Sequence, residues 1–304
     1  MFMRKSVRSS KRSWSIGALL LTAACFPLFS IVTRLVNEGF APLTQVYLRI
    51  GVGLILTMVF FSKHIRWKAF RTLSLRDGLA LLLMGVVGYS LSTYFTTLGA
   101  LHAPLVNVSI IGNTEPFFVY LYSFLVFKQP IKTQVLLFMF LTVLGVAMVA
   151  THSFVPVVSA FGIGEVYVLL FAATSAWYLI GRQLVSDKLN TSEITVLGMA
   201  IACLSTVVFA LFARERFMPQ HLLITGVFMG LLLGGALNTI VMLLQNFAYK
   251  YLEGVVASQI LLVATLFSLL YGYVWYHEIV SLPEKVGVVV ILVSVFMTNK
   301  LVTS

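Results

Sequence analysis

The sequence predicts an all-α integral membrane protein: ten transmembrane helices arranged as two inverted five-helix repeats. Three observations predict it. The 304 residues are 60% hydrophobic and 10% charged, with a mean hydropathy of +0.99, whereas a soluble domain carries ~25% charged residues. Ten apolar runs follow one another, at 15–36, 41–61, 77–99, 103–127, 131–151, 161–184, 193–213, 221–248, 254–276 and 284–302. Finally, a shift of 149 residues lays 81–150 on 230–299 without a gap, so that Gly85 meets Gly234, Ser109 meets Ser258, Phe118 meets Phe267 and Tyr122 meets Tyr271.

The first run follows a basic arm of Arg4, Lys5, Arg8, Lys11 and Arg12. That order suggests a secretory signal, and Thr22-Ala23-Ala24-Cys25 resembles a lipoprotein cleavage box. A signal core is short, however, and here the apolar run continues past the cysteine to Val36. The segment therefore reads as a cytoplasmic arm and an uncleaved first helix. Cys25 and Cys203 both fall in apolar runs and read as buried thiols. The longest polar connection is Ser62–Arg76, too short for a soluble domain.

The net charge of +11 does not signal nucleic acid, because the cations sit in short segments between apolar runs. With a cytoplasmic N-terminus, sixteen of the 21 Lys and Arg lie on the inner side, from Arg4 to Lys300, against four outside: Arg34, Arg214, Arg216 and Lys285. Short cytoplasmic loops hold such an excess. An even number of spans with both termini inside preserves it. Each repeat then has five spans, 14–151 and 161–302, joined by the uncharged link His152–Ala160. An odd unit inserts its second copy upside down, as in many secondary transporters.

The fourth run, APLVNVSIIGNTEPFFVYLYSFLVF, holds the polar groups around which the chain is organised. A charge at membrane depth costs ~2.5–3.5 kcal/mol on insertion scales, so Glu115 is expected to face the protein interior with Asn107 and Asn113. Pro116 cannot donate a backbone hydrogen bond; it is expected to kink this helix and act as a hinge. In the eighth run Asn238, Met242, Gln245 and Tyr249 recur on one helical face, and the matching positions of the third run are Tyr89, Thr93, Thr96 and Ala100. The stripes either line a cavity or bond neighbouring helices. Trp177, Tyr178 and Gln259 are further candidates for a solute pathway, while Tyr271, Tyr273, Trp275 and Tyr276 read as an interfacial belt. Arg49, in the second run, is the cation at depth. It forms a structural ion pair with Glu115, or Glu115 exchanges protons or meets a cationic group of the solute. Ala264 stands where Glu115 does in the other half.

No enzyme motif is present. The five histidines lie near helix ends with no metal-ligand spacing, and neither HExxH, GxSxG nor GxxxxGK[ST] occurs. No cofactor and no metal site is expected.

Glu115-Pro116 in the fourth run, Arg49 in the second and Gly145 late in the fifth resemble the drug/metabolite transporter superfamily, EamA-type. Where that pattern has Gly-Glu thirteen residues after the proline, this chain has Lys128-Gln129; in the second half Thr265 replaces the proline and Glu278 keeps the glutamate. The resemblance, over about 14–299, implies a ten-helix bundle whose cavity is lined by helices 1, 3, 4, 6, 8 and 9. It also implies export of small metabolites across the inner membrane. The expected solute is an amino acid or a related neutral, zwitterionic or aromatic compound moved by alternating access. A phosphorylated solute would want several buried cations, and Arg49 alone is at depth. The expected partners are this solute, the lipid bilayer and protons as the coupling ion, in a monomer or homodimer. The alternatives are a membrane-embedded enzyme and a non-transporting interaction protein.

Overall fold

The computed structural model describes residues 2–303 except 113, 129–132, 155–161, 187, 216–224, 253–256, 258, 259 and 262. Among the described residues there is no strand. The helices are α1 (Phe2–Val36), α2 (Pro42–Phe61), α3 (Leu75–His102), α4 (Leu105–Gly112), α5 (Glu115–Phe127), α6 (Thr133–Thr151), α7 (Ile163–Leu184), α8 (Thr191–Phe212), α9 (Thr225–Tyr251), α10 (Ala264–Tyr276) and α11 (Leu282–Thr303). Two 3-10 turns, Ser62–His64 and Trp67–Thr72, connect α2 to α3. Seven helical stretches among the described residues are long and apolar enough to cross a membrane, and Thr133–Val149 is a shorter apolar one. Their flanks carry bare apolar side chains such as Phe60, Leu204, Phe212 and Leu233, as lipid-facing surfaces do.

Local chemistry sets the helix starts. Pro42 opens α2, where a missing N–H costs nothing because the first turn has no partner for it. Ser74 caps α3 by accepting from the Asp77 amide at 3.1 Å. Asn190 and Glu193 form a reciprocal capping box on α8.

The chain forms two compact units, and each draws on both halves of the sequence. Residues Met1–Pro27, His102–Leu169 and Leu244–Ser304 make the first. In it α6 packs closely on α11: a side-chain carbon at Gly145 would lie 2.9 Å from the Gly287 carbonyl and one at Gly287 would lie 2.8 Å from the Gly145 carbonyl. Facing glycines of this kind let membrane helices approach closely.

The second unit is Leu28–Leu101 with Leu170–Leu243. Val46, Ile50, Met84, Tyr89, Tyr178, Met199 and Met242 belong to its buried core. Within α3, residues Leu83–Leu91 are π-helical, a geometry common at functional sites. Gly85 and Gly88 lie in that segment. A side-chain carbon at Gly88 would sit 2.5 Å from the Tyr178 amide nitrogen, so α3 touches the α7 backbone there.

In the fourth apolar run α4 ends at Gly112, Thr114 is a turn, and α5 starts with Glu115 and Pro116 in its first turn. A first turn tolerates proline because its amides are unpaired anyway. The second half repeats the local backbone 149 residues on. Thr114 N–H donates to Ile111 at 3.0 Å and Phe117 N–H to Thr114 at 2.9 Å; Val263 N–H donates to Ile260 at 3.1 Å and Leu266 N–H to Val263 at 3.0 Å. Both following helices end on left-handed residues, Lys128 at φ 53° and His277 at φ 52°. Since Thr265 stands where Pro116 does, proline accommodates the interruption and does not cause it.

Candidate functional site

The second unit holds a buried cationic centre. Arg49 on α2 is 2% exposed. Its Nη1 donates to Thr33 Oγ1 on α1 at 2.6 Å and its Nη2 to Thr97 Oγ1 on α3 at 2.9 Å. Both partners are neutral hydroxyls, and among the described residues Nε has none. The stem of Arg49 runs over α9 at Gly234, where a side-chain carbon would meet Cδ at 2.6 Å. Only a residue without Cβ leaves that path open.

Further polar atoms of the same unit are buried with no hydrogen-bond partner among the described residues. They include Gln45 Oε1, one turn before Arg49, the Tyr89 hydroxyl on α3, Asn238 Nδ2 on α9 and Arg182 Nε on α7. Asn238 Cβ lies 3.4 Å from the place of a side-chain carbon at Gly53, one turn after Arg49. Tyr89 shares a buried core with Val46 and Ile50, on either side of Arg49 in α2. Tyr178 meets Tyr89 edge to face, with ring centroids 6.4 Å apart. Tyr89 and Asn238 are equivalent under the 149-residue shift, so both halves place a buried polar group at the same position.

Thr93 is half-buried in α3, and its carbonyl accepts from the Thr97 hydroxyl at 2.7 Å. Trp177 is half-buried beside the buried Tyr178. Thr96, in the expected stripe, is half-buried, and its neighbour Thr97 is the residue that meets the arginine. Thr33 and Thr97 carried no signal in the sequence beyond being hydroxyls in apolar runs.

In the first unit Asn107, fully buried on α4, donates through Nδ2 to Glu165 Oε1 at 3.0 Å. Glu165 is 5% exposed in the first turn of α7. Sequence reading had passed over it. Gly164 brings this turn against α3: a side-chain carbon there would lie 2.5 Å from the His102 carbonyl carbon. Glu115 is half-buried at the N-terminal turn of α5, an end whose dipole favours negative charge. Gln245 is half-buried on α9. Asn113 and Gln259 lie outside the described residues.

Carboxylates also fasten the ends of helices. Glu215 accepts from the Leu43 and Thr44 amides of α2 at 3.2 and 2.9 Å. Glu193 at the start of α8 takes two guanidinium bonds from Arg66, each 2.9 Å, and the Arg66 amide at 2.9 Å. Positions 66 and 215 are again 149 apart, as are 44 and 193. Glu278 accepts from the Leu105 amide of α4 at 2.8 Å. Among the described residues no group of three or more His, Cys, Asp or Glu could hold a metal ion.

The EamA-like transporter family matches residues 13–151 and again 162–300. Two proteins named pseudopaline exporter CntI, from two strains of Pseudomonas aeruginosa, are each 26% identical over 284 residues, which is 91% of this chain and 94% of theirs. One solved crystal structure superposes with a TM-score of 0.65 at 13% identity, covering 97% of this chain and 99% of the other. That last likeness concerns the fold alone.

Proposed function

The chain belongs to the EamA-like transporter family, and from that premise we propose that it exports a small polar metabolite, an amino acid or a related compound, by alternating access. As a family member it is a multi-pass membrane transporter of a small molecule and not an enzyme. The solute, the direction and the mechanism are the proposal.

One observation carries it: a membrane helix interrupted at Gly112–Glu115, with the same local backbone 149 residues later. Discontinuous helices at corresponding places in two repeats are where secondary transporters build their sites. Two inverted five-helix repeats, 14–151 and 161–302, would supply two nearly equivalent packings, and the interruptions would be the hinges. Outward flux is supported by the relatives named pseudopaline exporters, and a cytoplasmic N-terminus by the sixteen cations on that side. Protons are the proposed coupling ion, with Glu115 as the exchanging group. Asn107, Gln245, Trp177 and Thr93 are proposed as lining residues.

The test is purified protein in liposomes, with a panel of amino acids, their derivatives and nucleobases. Saturable counterflow of at least one solute, absent from empty liposomes, is the expected result. Its absence across the panel overturns the assignment.

A further inference from the structure

We propose that Arg49, with the Tyr89 hydroxyl and the Asn238 amide, forms a binding site for the carboxylate of the solute, so that the transported compound must carry an acid group. The inference rests on the transporter reading and narrows its solute class.

The argument starts from charge. Arg49 is 2% exposed, inside a helix long and apolar enough to span the membrane. Its hydrogen-bond partners are the hydroxyls of Thr33 and Thr97, which carry no compensating charge. Among the described carboxylates of the same unit, Glu38 is exposed in the turn after α1 and three others are spoken for elsewhere. Asp77 is held by Ser74 and Ser186, Glu193 by Arg66 and Asn190, and Glu215 by the start of α2. A buried guanidinium without an anion is poorly stable, and its planar donor fork suits a carboxylate.

Geometry adds to charge. Arg49 keeps an uncommitted Nε, and the Tyr89 hydroxyl and Asn238 Nδ2 are buried without partners among the described residues. All three are groups that donate hydrogen bonds. Near a cation these uncommitted donors favour an anionic group, which a cationic or purely apolar solute would not supply; Gln45 Oε1, an uncommitted acceptor one turn before Arg49, is left for a donor group of the same solute. The arrangement is also asymmetric in a telling way. Tyr89 and Asn238 are repeat-equivalent, but the position equivalent to Arg49 is Gly198. One half supplies the charge and both halves supply a donor, which gives one carboxylate site per chain. Gly234 leaves room for the arginine stem, so the cation is held by α1, α3 and α9 together.

The experiment measures thermal stabilisation of the purified full-length protein in detergent by each common amino acid, by its carboxamide and by its decarboxylated amine, with sodium chloride as the simple-anion arm. At least one acid should raise the melting temperature, and its amide and amine should bind about tenfold or more weakly, as expected when a buried charge loses its partner. Arg49→Gln should erase the preference for acid over amide, and Arg49→Lys should keep part of it. Tyr89→Phe, which preserves volume, should narrow it severalfold. Stabilisation by acid and amide alike, by chloride alone, or by no acid overturns the site. So does a preference that survives in a folded Arg49→Gln protein; if that variant does not fold, Tyr89→Phe and the wild-type acid-to-amide ratio decide. Counterflow in liposomes separates the two readings. Acid binding that depends on Arg49 without flux leaves the site and removes the proposed export of such solutes; flux with no acid preference does the reverse.

Discussion

Glu115 shows what a single residue decides. Half-buried at the start of α5, it is the proposed proton site, and a transporter that couples to protons needs a carboxylate that loads and unloads one. Glu115→Gln keeps the size and hydrogen-bonding capacity and removes only the titration. Transport driven by a pH gradient should fall to the rate seen without a gradient, while solute counterflow persists. The comparison is made in liposomes with and without an imposed gradient, and undiminished gradient-driven uptake by the variant excludes Glu115 as the proton site. Residue by residue, the sequence pointed to the right chemical types more than to their partners. Arg49, Tyr89, Asn107 and Asn238 stood out as polar groups in apolar runs. Thr33, Thr97 and Glu165 did not, because a hydroxyl in a membrane helix usually bonds its own backbone, and a carboxylate near a helix start reads as a cap.

At the level of elements, the interruption between α4 and α5 is the instructive case. Proline drew attention to it, but the second half makes the same interruption with Thr265, itself 1% exposed. Pro116→Thr, which copies the second half into the first, should therefore leave the break in place and alter the transport rate by no more than about twofold; in a helix interior, by contrast, proline is worth ~3 kcal/mol. A large loss of activity would mean that proline itself does the hinging. The crossing of α6 and α11 behaves differently. Gly145→Ala places a methyl 2.7 Å from Ile291 Cγ1 and 2.9 Å from the Gly287 carbonyl, and a backbone carbonyl cannot rotate away. Overpacking of this sort costs ~1–3 kcal/mol, so the variant should melt several degrees lower in detergent. The π-helical stretch of α3 was illegible in sequence, since patterns are read at 3.6 residues per turn.

For the molecule as a whole, hydropathy and the 149-residue shift anticipated an all-helical membrane protein of two related halves, because both are properties of long apolar runs. Compact units were not anticipated in the same way. Each takes helices from both halves, and a contact between halves depends on side chains far apart in sequence. Orientation is open to direct measurement. Lys68→Cys and Arg214→Cys place thiols in loops assigned by cation counting to the inner and outer sides. An impermeant maleimide should label the Arg214 variant in intact cells and the Lys68 variant only after permeabilisation. The native Cys25, 8% exposed, and the half-buried Cys203 contribute little background. Labelling of both variants from one side would rule out the proposed inverted repeats.

The two fastenings on α2 and α8 are equivalent in position but not in kind. Glu193 holds an arginine whose side chain is 60% exposed, whereas Glu215 holds peptide amides of α2. Dissolved ions weaken the former, since exposed charges are screened over ~8 Å at physiological ionic strength, and leave the latter nearly untouched. Ionic strength is therefore expected to weaken the Arg66–Glu193 fastening more than that of Glu215. Salt added on the side of Arg66 should change the rate of turnover in sided vesicles, and the same salt added opposite should not.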